Sequence, residues 1–206
     1  MAPRDEQDYE QRRQQIIDGA LEAFSAKGFD GASNKDIAAA AGIASPGLIY
    51  HYFKDKVDLL HQVILERLPV LRLLDDAQRL MELPPEEALP QLAERMLRLY
   101  SHRPATAIIK VALAESLRNP RVAHMVSEAV PGRGLRMLSA YLARQMDAGR
   151  LRRMDPDIAA RMLVGPILAY VVTRFIFEQP EAQAIAPEAM AQATVETFLR
   201  GMAPDQ

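Results

Sequence analysis

The stretch of residues 33–53 constrains the fold most, because it carries the signals of two short helices joined by a tight turn. Ser33 is suited to the N-cap of the first helix, since its hydroxyl can accept a hydrogen bond from a free backbone N–H. Gly42 can adopt the left-handed conformation that commonly ends a helix. Ser45 and Pro46 mark the start of the second helix, because proline at the first helical position loses no hydrogen bond. This second helix is too short to be stable alone, so its role must lie in its exposed side chains. These are Tyr50, His51 and Tyr52.

The remaining sequence predicts helices throughout. Hydrophobic residues make up 49% of the 206 residues and charged residues 25%, as in ordinary globular proteins. No segment shows the two-residue alternation of a strand. We expect about nine helices, near residues 9–27, 34–41, 46–52, 57–68, 86–101, 105–118, 121–149, 157–179 and 187–201. Residues 1–8 are expected to be disordered. We expect Pro69 to interrupt the fourth helix and Pro131-Gly132 to kink or break the seventh. The predicted fold class is therefore all-α.

The residue types that enzymes and metal sites need are absent or scattered. The chain has no cysteine, so it has neither disulfides nor thiolate metal ligands. Its four histidines form no Glu-x-x-His or His-Glu-x-x-His motif. The sequence also lacks a glycine-rich phosphate loop and a Gly-x-Ser-x-Gly motif. We therefore expect no enzymatic activity, no metal and no cofactor.

Nothing in the sequence predicts export or membrane insertion. The N-terminus is polar and charged, unlike a signal peptide. The longest strongly apolar run, residues 162–173, has twelve residues and is too short to span a bilayer. We expect a cytoplasmic protein with no membrane partner.

The net charge gives no sign of nucleic-acid binding. Residues 1–58 carry seven Lys and Arg against ten Asp and Glu, whereas a DNA-binding domain normally has a basic surface. Any phosphate contacts in this region must come from locally placed lysines, namely Lys35, Lys54 and Lys56. This acidity slightly favours a helical protein-interaction module without specific DNA binding over a DNA-binding protein.

The last two helices carry another informative pattern. Gly165, Ala169 and Thr173 lie four residues apart and form a strip of small side chains, which allows another helix to approach closely. The helix around them is apolar on almost every side, so it must be buried on several sides. From these residues alone, an intramolecular core and pairing with a second copy of the chain both remain open. The candidate interface residues are Gly165, Ala169, Thr173, Met190, Thr194 and Phe198.

The stretch of residues 33–53, together with the helix before it, resembles the helix-turn-helix of the TetR/AcrR-type transcriptional regulators. The resemblance covers roughly residues 10–60. One departure is the spacing of ten residues between Gly42 and Phe53, which is one residue longer than in many members. The matching elements are Ala23-Phe24, Gly28-Phe29, Ser33, Asp36-Ile37-Ala38, Ala41-Gly42-Ile43, Tyr50-His51-Tyr52-Phe53 and Lys56.

This resemblance implies a DNA-binding surface with assigned residues. Tyr50 and Tyr52 would place their hydroxyls on phosphates, Tyr50 could also lie against a thymine methyl, and His51 would point towards the major groove. Asn34 and Lys35 have side chains that can hydrogen-bond adenine and guanine edges. Further phosphate contacts would come from the Lys56 side chain and from backbone N–H groups near Ser33 and Ser45, and Pro46 and Gly47 would allow close approach. The predicted DNA-binding residues are Ser33, Asn34, Lys35, Ser45, Pro46, Gly47, Tyr50, His51, Tyr52 and Lys56.

The resemblance also implies a regulated dimer, with a DNA-binding domain at residues 1–56 and a ligand-binding and dimerisation domain at residues 57–206. The homodimer would bind a palindromic operator in double-stranded DNA, and a small effector in a cavity of the second domain would release it, as in a repressor. Methionines and aromatic residues supply adaptable apolar surface, which suggests an apolar or aromatic effector. The candidate lining residues are Met81, Tyr100, His102, Met125, Met137, Tyr141, Tyr170 and Phe175.

Overall fold

The computed structural model describes residues 3–67, 79–101, 103–128 and 132–204. Within these residues the chain forms eleven α-helices and no strand, so the predicted all-α class is confirmed. The helices are α1 (Pro3–Gly31), α2 (Asn34–Ala40), α3 (Ile49–Tyr52), α4 (Lys56–Arg67), α5 (Pro85–Ser101), α6 (Arg103–Ser116), α7 (Pro120–Ser127), α8 (Arg133–Asp147), α9 (Pro156–Val171), α10 (Pro180–Gln183) and α11 (Pro187–Gly201). A 3-10 turn, Pro46–Leu48, leads into α3, and a π-helical turn, Val172–Ile176, continues α9.

The helices differ from the predicted ones in two places. The first helix begins at Pro3 rather than near residue 9, so the expectation of disorder is wrong for residues 3–8. Proline suits a first helical position. The predicted end of this helix near residue 27 agrees with a break at Gly28, whose φ of +72° is not helical. The second difference is the short α10, which lies in the connection before α11. The predicted seventh helix is divided into α7 and α8, in agreement with the break expected near Pro131-Gly132. The interruption predicted at Pro69 lies outside the described residues.

The chain forms two compact units. The first contains residues 1–68 and 107–126, and so combines α1 to α4 with most of α6 and α7. The second contains residues 69–106 and 127–206. The domain division predicted between residues 56 and 57 concerns function and stays a prediction.

The first unit is organised on the apolar face of α1, which contacts α2 and α4. Gly19 lies at the contact with α2, where a side chain would meet the backbone of Ala41. On the outer side, the Arg67 guanidinium of α4 donates to the Asp18 carboxylate of α1 at 2.7 Å. The buried residues of α1 are Ile16, Ile17, Ala20, Ala23, Phe24 and Phe29. This packing holds the residues of the predicted helix-turn-helix against α1.

The core of the second unit comes from α5, α8, α9 and α11. Helix α9 and its π-helical turn form one continuous helix of 21 residues, Pro156–Ile176, with a mean hydropathy of 1.5. By length and composition alone this helix could cross a membrane, so the twelve-residue run counted in the sequence understated it. Only 33% of its most apolar window is buried within the chain, and core helices of globular proteins can pass the same test.

Candidate nucleic-acid interface

The start of α2 is held by a reciprocal pair of hydrogen bonds. The Asp36 N–H donates to Ser33 Oγ at 3.2 Å, and the Ser33 N–H donates to Asp36 Oδ2 at 2.8 Å. Lys27 Nζ adds an ion pair to Asp36 Oδ1 at 2.5 Å. Hydrogen bonds from Lys27, and then from Ser33, hold the pKa of the Asp36 carboxyl far below its ordinary value of 3.8. The predicted N-cap at Ser33 is confirmed, and Asp36 makes it a capping box.

The turn between α2 and α3 follows the predicted signals with one exception. Gly42 has a φ of +65°, the left-handed conformation expected of it. Ile43 is buried behind the turn. Ser45 occupies the N-cap position, but its hydroxyl makes no capping hydrogen bond. The segment opens as a 3-10 turn, in which the Leu48 N–H donates to the Ser45 carbonyl at 3.1 Å.

Helix α3 presents its aromatic side chains unequally. Tyr50 is 59% exposed and His51 is also exposed. Tyr52 is half-buried, because its ring packs on Tyr9 of α1 with the centroids 4.6 Å apart. This role of Tyr9 could not be predicted from the sequence, since helical periodicity does not show which residue of α1 lies opposite α3. Tyr50 and His51 are thus the side chains of α3 that face solvent.

Two predicted DNA-binding residues contact each other directly. Asn34, the first residue of α2, donates a hydrogen bond from Nδ2 to the hydroxyl oxygen of Tyr50 at 2.7 Å. The two residues are 16 positions apart in the sequence. The base contact predicted for Asn34 and the phosphate contact predicted for Tyr50 therefore come from two side chains that are hydrogen-bonded to each other.

Lys56 lies at the start of α4 with its ammonium against aromatic rings. Its Nζ is 4.6 Å from the centroid of Phe29 and 5.9 Å from that of Phe24. Burial lowers the pKa of Lys56, while the carboxylates of Asp30 and then Glu115 act in the opposite direction. The phosphate contact predicted for this side chain stays a prediction.

The carboxylates of residues 1–58, called the head below, are partly neutralised by two arginines that lie outside this range. Arg118 pairs with Asp30 at 3.0 Å, and Arg121 pairs with Asp55 at 3.1 Å. Both arginines belong to the 107–126 segment of the first unit. This contribution weakens the electrostatic argument against DNA binding. On the solvent side of the helix-turn-helix, Lys35, Ser45 and Gly47 are exposed and Pro46 is half-buried.

The candidate interface residues of the second unit lie on α9, its π-helical turn and α11, and α9 contacts α11. Gly165 and Ala169 are exposed, whereas Thr194 and Phe198 are buried. Met190 and Thr173 are half-buried, and the Thr173 hydroxyl donates to the Ala169 carbonyl at 2.9 Å. An apolar groove of about 390 Å³ runs between the two helices and is lined by Arg152, Met162, Pro166, Met190, Ala193, Thr194, Thr197, Phe198, Gly201 and Met202.

The candidate effector residues are only partly brought together. Met81, Tyr141 and Tyr170 are buried in the core of the second unit, and Tyr100, Met137 and Phe175 pack against that core. The Tyr141 hydroxyl donates to the Leu83 carbonyl at 2.9 Å, and the Tyr170 hydroxyl donates to the Ile185 carbonyl at 2.7 Å. Burial raises the pKa of Tyr141 to about 12. Met125 belongs to the first unit, and His102 lies outside the described residues.

Comparison with known proteins gives the relationships of the chain. Residues 16–63 match the bacterial regulatory proteins of the tetR family, and residues 87–203 match the C-terminal domain of AefR-like transcriptional repressors. The transcriptional regulator UidR of Escherichia coli K12 is 28% identical over 196 residues, which cover 92% of each chain.

Two solved structures have the same fold. A TetR-family regulator from Mesorhizobium loti superposes with a TM-score of 0.74 at 26% identity, covering 93% of this chain and 96% of that one. NalD of Pseudomonas aeruginosa, the secondary repressor of the MexAB-OprM multidrug efflux pump, superposes with a TM-score of 0.72 at 25% identity, covering 96% and 100%.

An all-helical chain with an exposed helix-turn-helix and these relatives is a DNA-binding transcriptional regulator. The chain belongs to the TetR family. The alternative of a helical interaction module without DNA binding has no support among the relatives, which are transcriptional regulators.

Proposed function

We propose that this protein is a homodimeric repressor that binds a palindromic operator and is released by a small apolar or aromatic effector. The observation that carries the proposal is the exposed side of residues 33–53, where Lys35, Tyr50 and His51 offer hydrogen-bond donors on a segment fixed by the Ser33 capping box. Donors of this kind position a helix-turn-helix on phosphates and base edges. We assign Lys35 to a guanine edge and the backbone near Ser33 and Ser45 to phosphates.

The support for a dimer is the apolar surface that one chain leaves open. Ile158 and Met162 on α9 are 53% and 52% exposed, beside the exposed Gly165 and Ala169. Contiguous exposed apolar surface of this kind marks interaction sites. Among the described residues, no atom outside the neighbouring backbone of its own helix lies within 4 Å of where a Cβ of Gly165 would stand, so another helix can approach it closely. A two-fold axis through this face would pair α9 and α11 with their copies.

A dimer also fits the demand of the operator. The exposed part of α3 is barely one turn long, so one helix-turn-helix makes few base contacts. Two copies related by a two-fold axis double those contacts, provided that the helices meet major grooves about 34–36 Å apart. We infer a cytoplasmic location from this role, since operator DNA in bacteria lies in the cytoplasm.

The support for an apolar effector is the composition of the second unit. Its core combines Met81, Met146, Tyr141 and Tyr170, which offer polarizable and aromatic surface with few charges. The hydroxyls of Tyr141 and Tyr170 are bonded to backbone carbonyls, so these residues would contribute ring surface to an effector site.

Fluorescence anisotropy on DNA flanking the protein's own gene tests operator binding. We expect tight binding to a palindromic duplex and weak binding to a scrambled one, with affinity falling steeply as salt rises because phosphate counterions are released. Lys35→Ala and Tyr50→Ala should weaken binding, whereas Arg98→Gln, which removes an exposed charge on α5 of the second unit, should not. Equally weak binding to every duplex, unchanged by the first two substitutions, would refute operator recognition.

Effector control is tested on the assembled complex. We would add 2-naphthol, as an aromatic probe, and 1-decanol, as an uncharged aliphatic one, to the protein bound to its operator. Release of the DNA by either probe, without loss of helical circular dichroism, supports an apolar effector. If only charged or sugar-like compounds release the DNA, the proposed effector class is wrong.

A further inference from the structure

We propose that Asn34 is a positioning residue for Tyr50, holding its phenol so that the O–H is presented to a DNA phosphate, and is not itself a reader of base sequence. This inference rests on the proposed operator binding. It assigns to Asn34 a role different from the adenine contact that its side chain type predicted.

The hydrogen-bond chemistry fixes the direction of each proton. An Asn amide nitrogen can only donate, so the Tyr50 oxygen accepts in the 2.7 Å contact with Asn34 Nδ2. The phenol has one proton of its own, which must then point to a different acceptor. Among the described residues no other hydrogen-bond partner of the Tyr50 hydroxyl is found. The O–H is therefore available to an incoming oxygen.

The position of the pair favours a phosphate as that acceptor. The Tyr50 side chain is 59% exposed on α3, at the solvent side of the helix-turn-helix. Its O–H and the second N–H of Asn34 are two neighbouring donors. A phosphate oxygen carries negative charge and accepts from several donors at once, and hydrogen bonds to a charged acceptor are shorter and stronger than neutral ones.

Recognition of adenine places a different demand on Asn34. Asparagine reads adenine by bringing its amide oxygen and its amide nitrogen to N6 and N7 together. In this chain one N–H of that nitrogen is bonded to Tyr50, so the amide can meet an adenine edge only in an orientation that keeps this bond, or after breaking it. The contact also orders an exposed Tyr50 before DNA arrives, so less side-chain freedom is lost on binding.

A double-mutant cycle on the operator duplex tests the coupling, with Asn34→Ala, Tyr50→Phe and the double variant. Each single variant should weaken binding by about 10- to 150-fold, the range of a hydrogen bond to a charged group. The double variant should bind no more weakly than the weaker single one, because both changes remove the same phosphate contact. The matched control is Lys35→Ala with Tyr50→Phe, whose losses should multiply. Multiplying losses for Asn34 and Tyr50 would overturn the inference.

A panel of operators separates positioning from base recognition. If Asn34 acts through a phosphate, Asn34→Ala should weaken binding by the same factor on the operator and on duplexes with each base pair substituted in turn. Loss of discrimination at one base pair would show that Asn34 recognises that base, and would overturn the inference.

A measurement on the free protein keeps the inference testable if operator binding itself fails. With tyrosines labelled at 13Cζ, the NMR signal of Tyr50 should shift in Asn34→Ala and stay in place in Lys35→Ala, because only Asn34 bonds the phenol oxygen. A Tyr50 signal unchanged by Asn34→Ala would refute the positioning contact. If the signal shifts but the wild type does not distinguish operator from scrambled DNA, the proposed function is wrong and the contact serves another purpose.

Discussion

At the scale of single residues, the head depends on one carboxylate and one hydroxyl. Asp36 accepts from Lys27 and from Ser33, and Ser33 in turn accepts from the Asp36 backbone. These bonds satisfy N–H groups that a helix start leaves free. They also hold α2 in place on the solvent side, where few apolar contacts could do so. We therefore test Ser33 and Asp36, with Ser45 as the comparison for Ser33.

Replacing Ser33 by alanine should destabilise the protein, whereas the same change at Ser45 should not. Ser33 caps α2, and loss of an N-cap hydroxyl costs about 1 kcal/mol of unfolding free energy. The Ser45 hydroxyl makes no capping bond, so Ser45→Ala should stay within about 0.5 kcal/mol of the wild type. Urea unfolding followed by circular dichroism measures both. Equal losses in the two variants would show that the capping box contributes nothing.

The stability contributed by Asp36 should depend on pH. Its pKa lies below the ordinary 3.8 in the folded protein, chiefly because of the hydrogen bond from Lys27. A depressed carboxyl pKa contributes stability that is present above the unfolded pKa and is lost as pH falls through the folded pKa. We expect the wild type to be more stable than Asp36→Asn at pH 7, with the difference shrinking below about pH 4. Urea midpoints over pH 2.5–7 measure this, and a difference that grows with acid would contradict it.

At the scale of the elements, the angle between α1 and α2 depends on a close approach at Gly19. A Cβ built there would stand 2.5 Å from the Ala41 nitrogen and 2.8 Å from its Cα. These are backbone atoms at the end of α2, so they cannot turn aside as a flexible side chain would. A residue with the lowest bulk is therefore needed where the first helix meets the turn.

Gly19→Ala should destabilise the protein although alanine is the better helix former. The added methyl would separate α1 from α2, and overpacking of this kind costs about 1–3 kcal/mol. Gly31→Ala is the control, in the short helical segment that follows the break at Gly28, because a Cβ there meets only Lys27 Cβ at 3.7 Å. Thermal unfolding should show a lower Tm for Gly19→Ala and an unchanged or higher one for Gly31→Ala. A stabilised Gly19→Ala would mean that the two helices do not pack so closely.

At the scale of the whole molecule, the apolar face of α9 is the feature that a single chain leaves unexplained. Its Gly165 and Ala169 are exposed, and so is most of the Ile158 and Met162 surface. Only 33% of the most apolar 18-residue stretch of this helix is buried within the chain. Apolar helix surface of this extent favours contact with another molecule. The proposed dimer supplies that cover with the same helix of a second copy.

Gly165→Leu should weaken self-association without unfolding the chain. A Cβ at this position meets no described atom outside the neighbouring backbone of its own helix, but the leucine side chain would fill the space that a second helix needs. We expect a loss of about 1–3 kcal/mol, roughly 5- to 150-fold in the dimer Kd. Ala26→Leu, at an exposed position of α1 in the other unit, is the control. Analytical ultracentrifugation over a dilution series measures both, and an unchanged Kd in Gly165→Leu would place the dimer contact elsewhere.

Most helix boundaries of this regulator could be predicted from local signals in its sequence. Ser33, Gly42 and Pro46 specify where the helices of the head begin and end, because capping and φ preferences act over a few residues. Pro85, Pro156 and Pro187 likewise mark helix starts that the structure confirms. The predicted family followed from the order of such signals. The early start of α1 is not predicted, because the residues before Tyr9 are mostly polar or charged and show no apolar stripe.

Which side chains contact each other depends on tertiary packing and could not be predicted from the sequence. The bond between Asn34 and Tyr50, the Tyr9 ring against Tyr52 and the Lys56 ammonium over Phe29 join residues from different helices. Helical periodicity assigns a residue to a face, but it does not set the angle and distance between two helices, which depend on the summed packing of the whole core. For the same reason Met125 was grouped with Tyr141 in the sequence, and the folded chain places them in separate units.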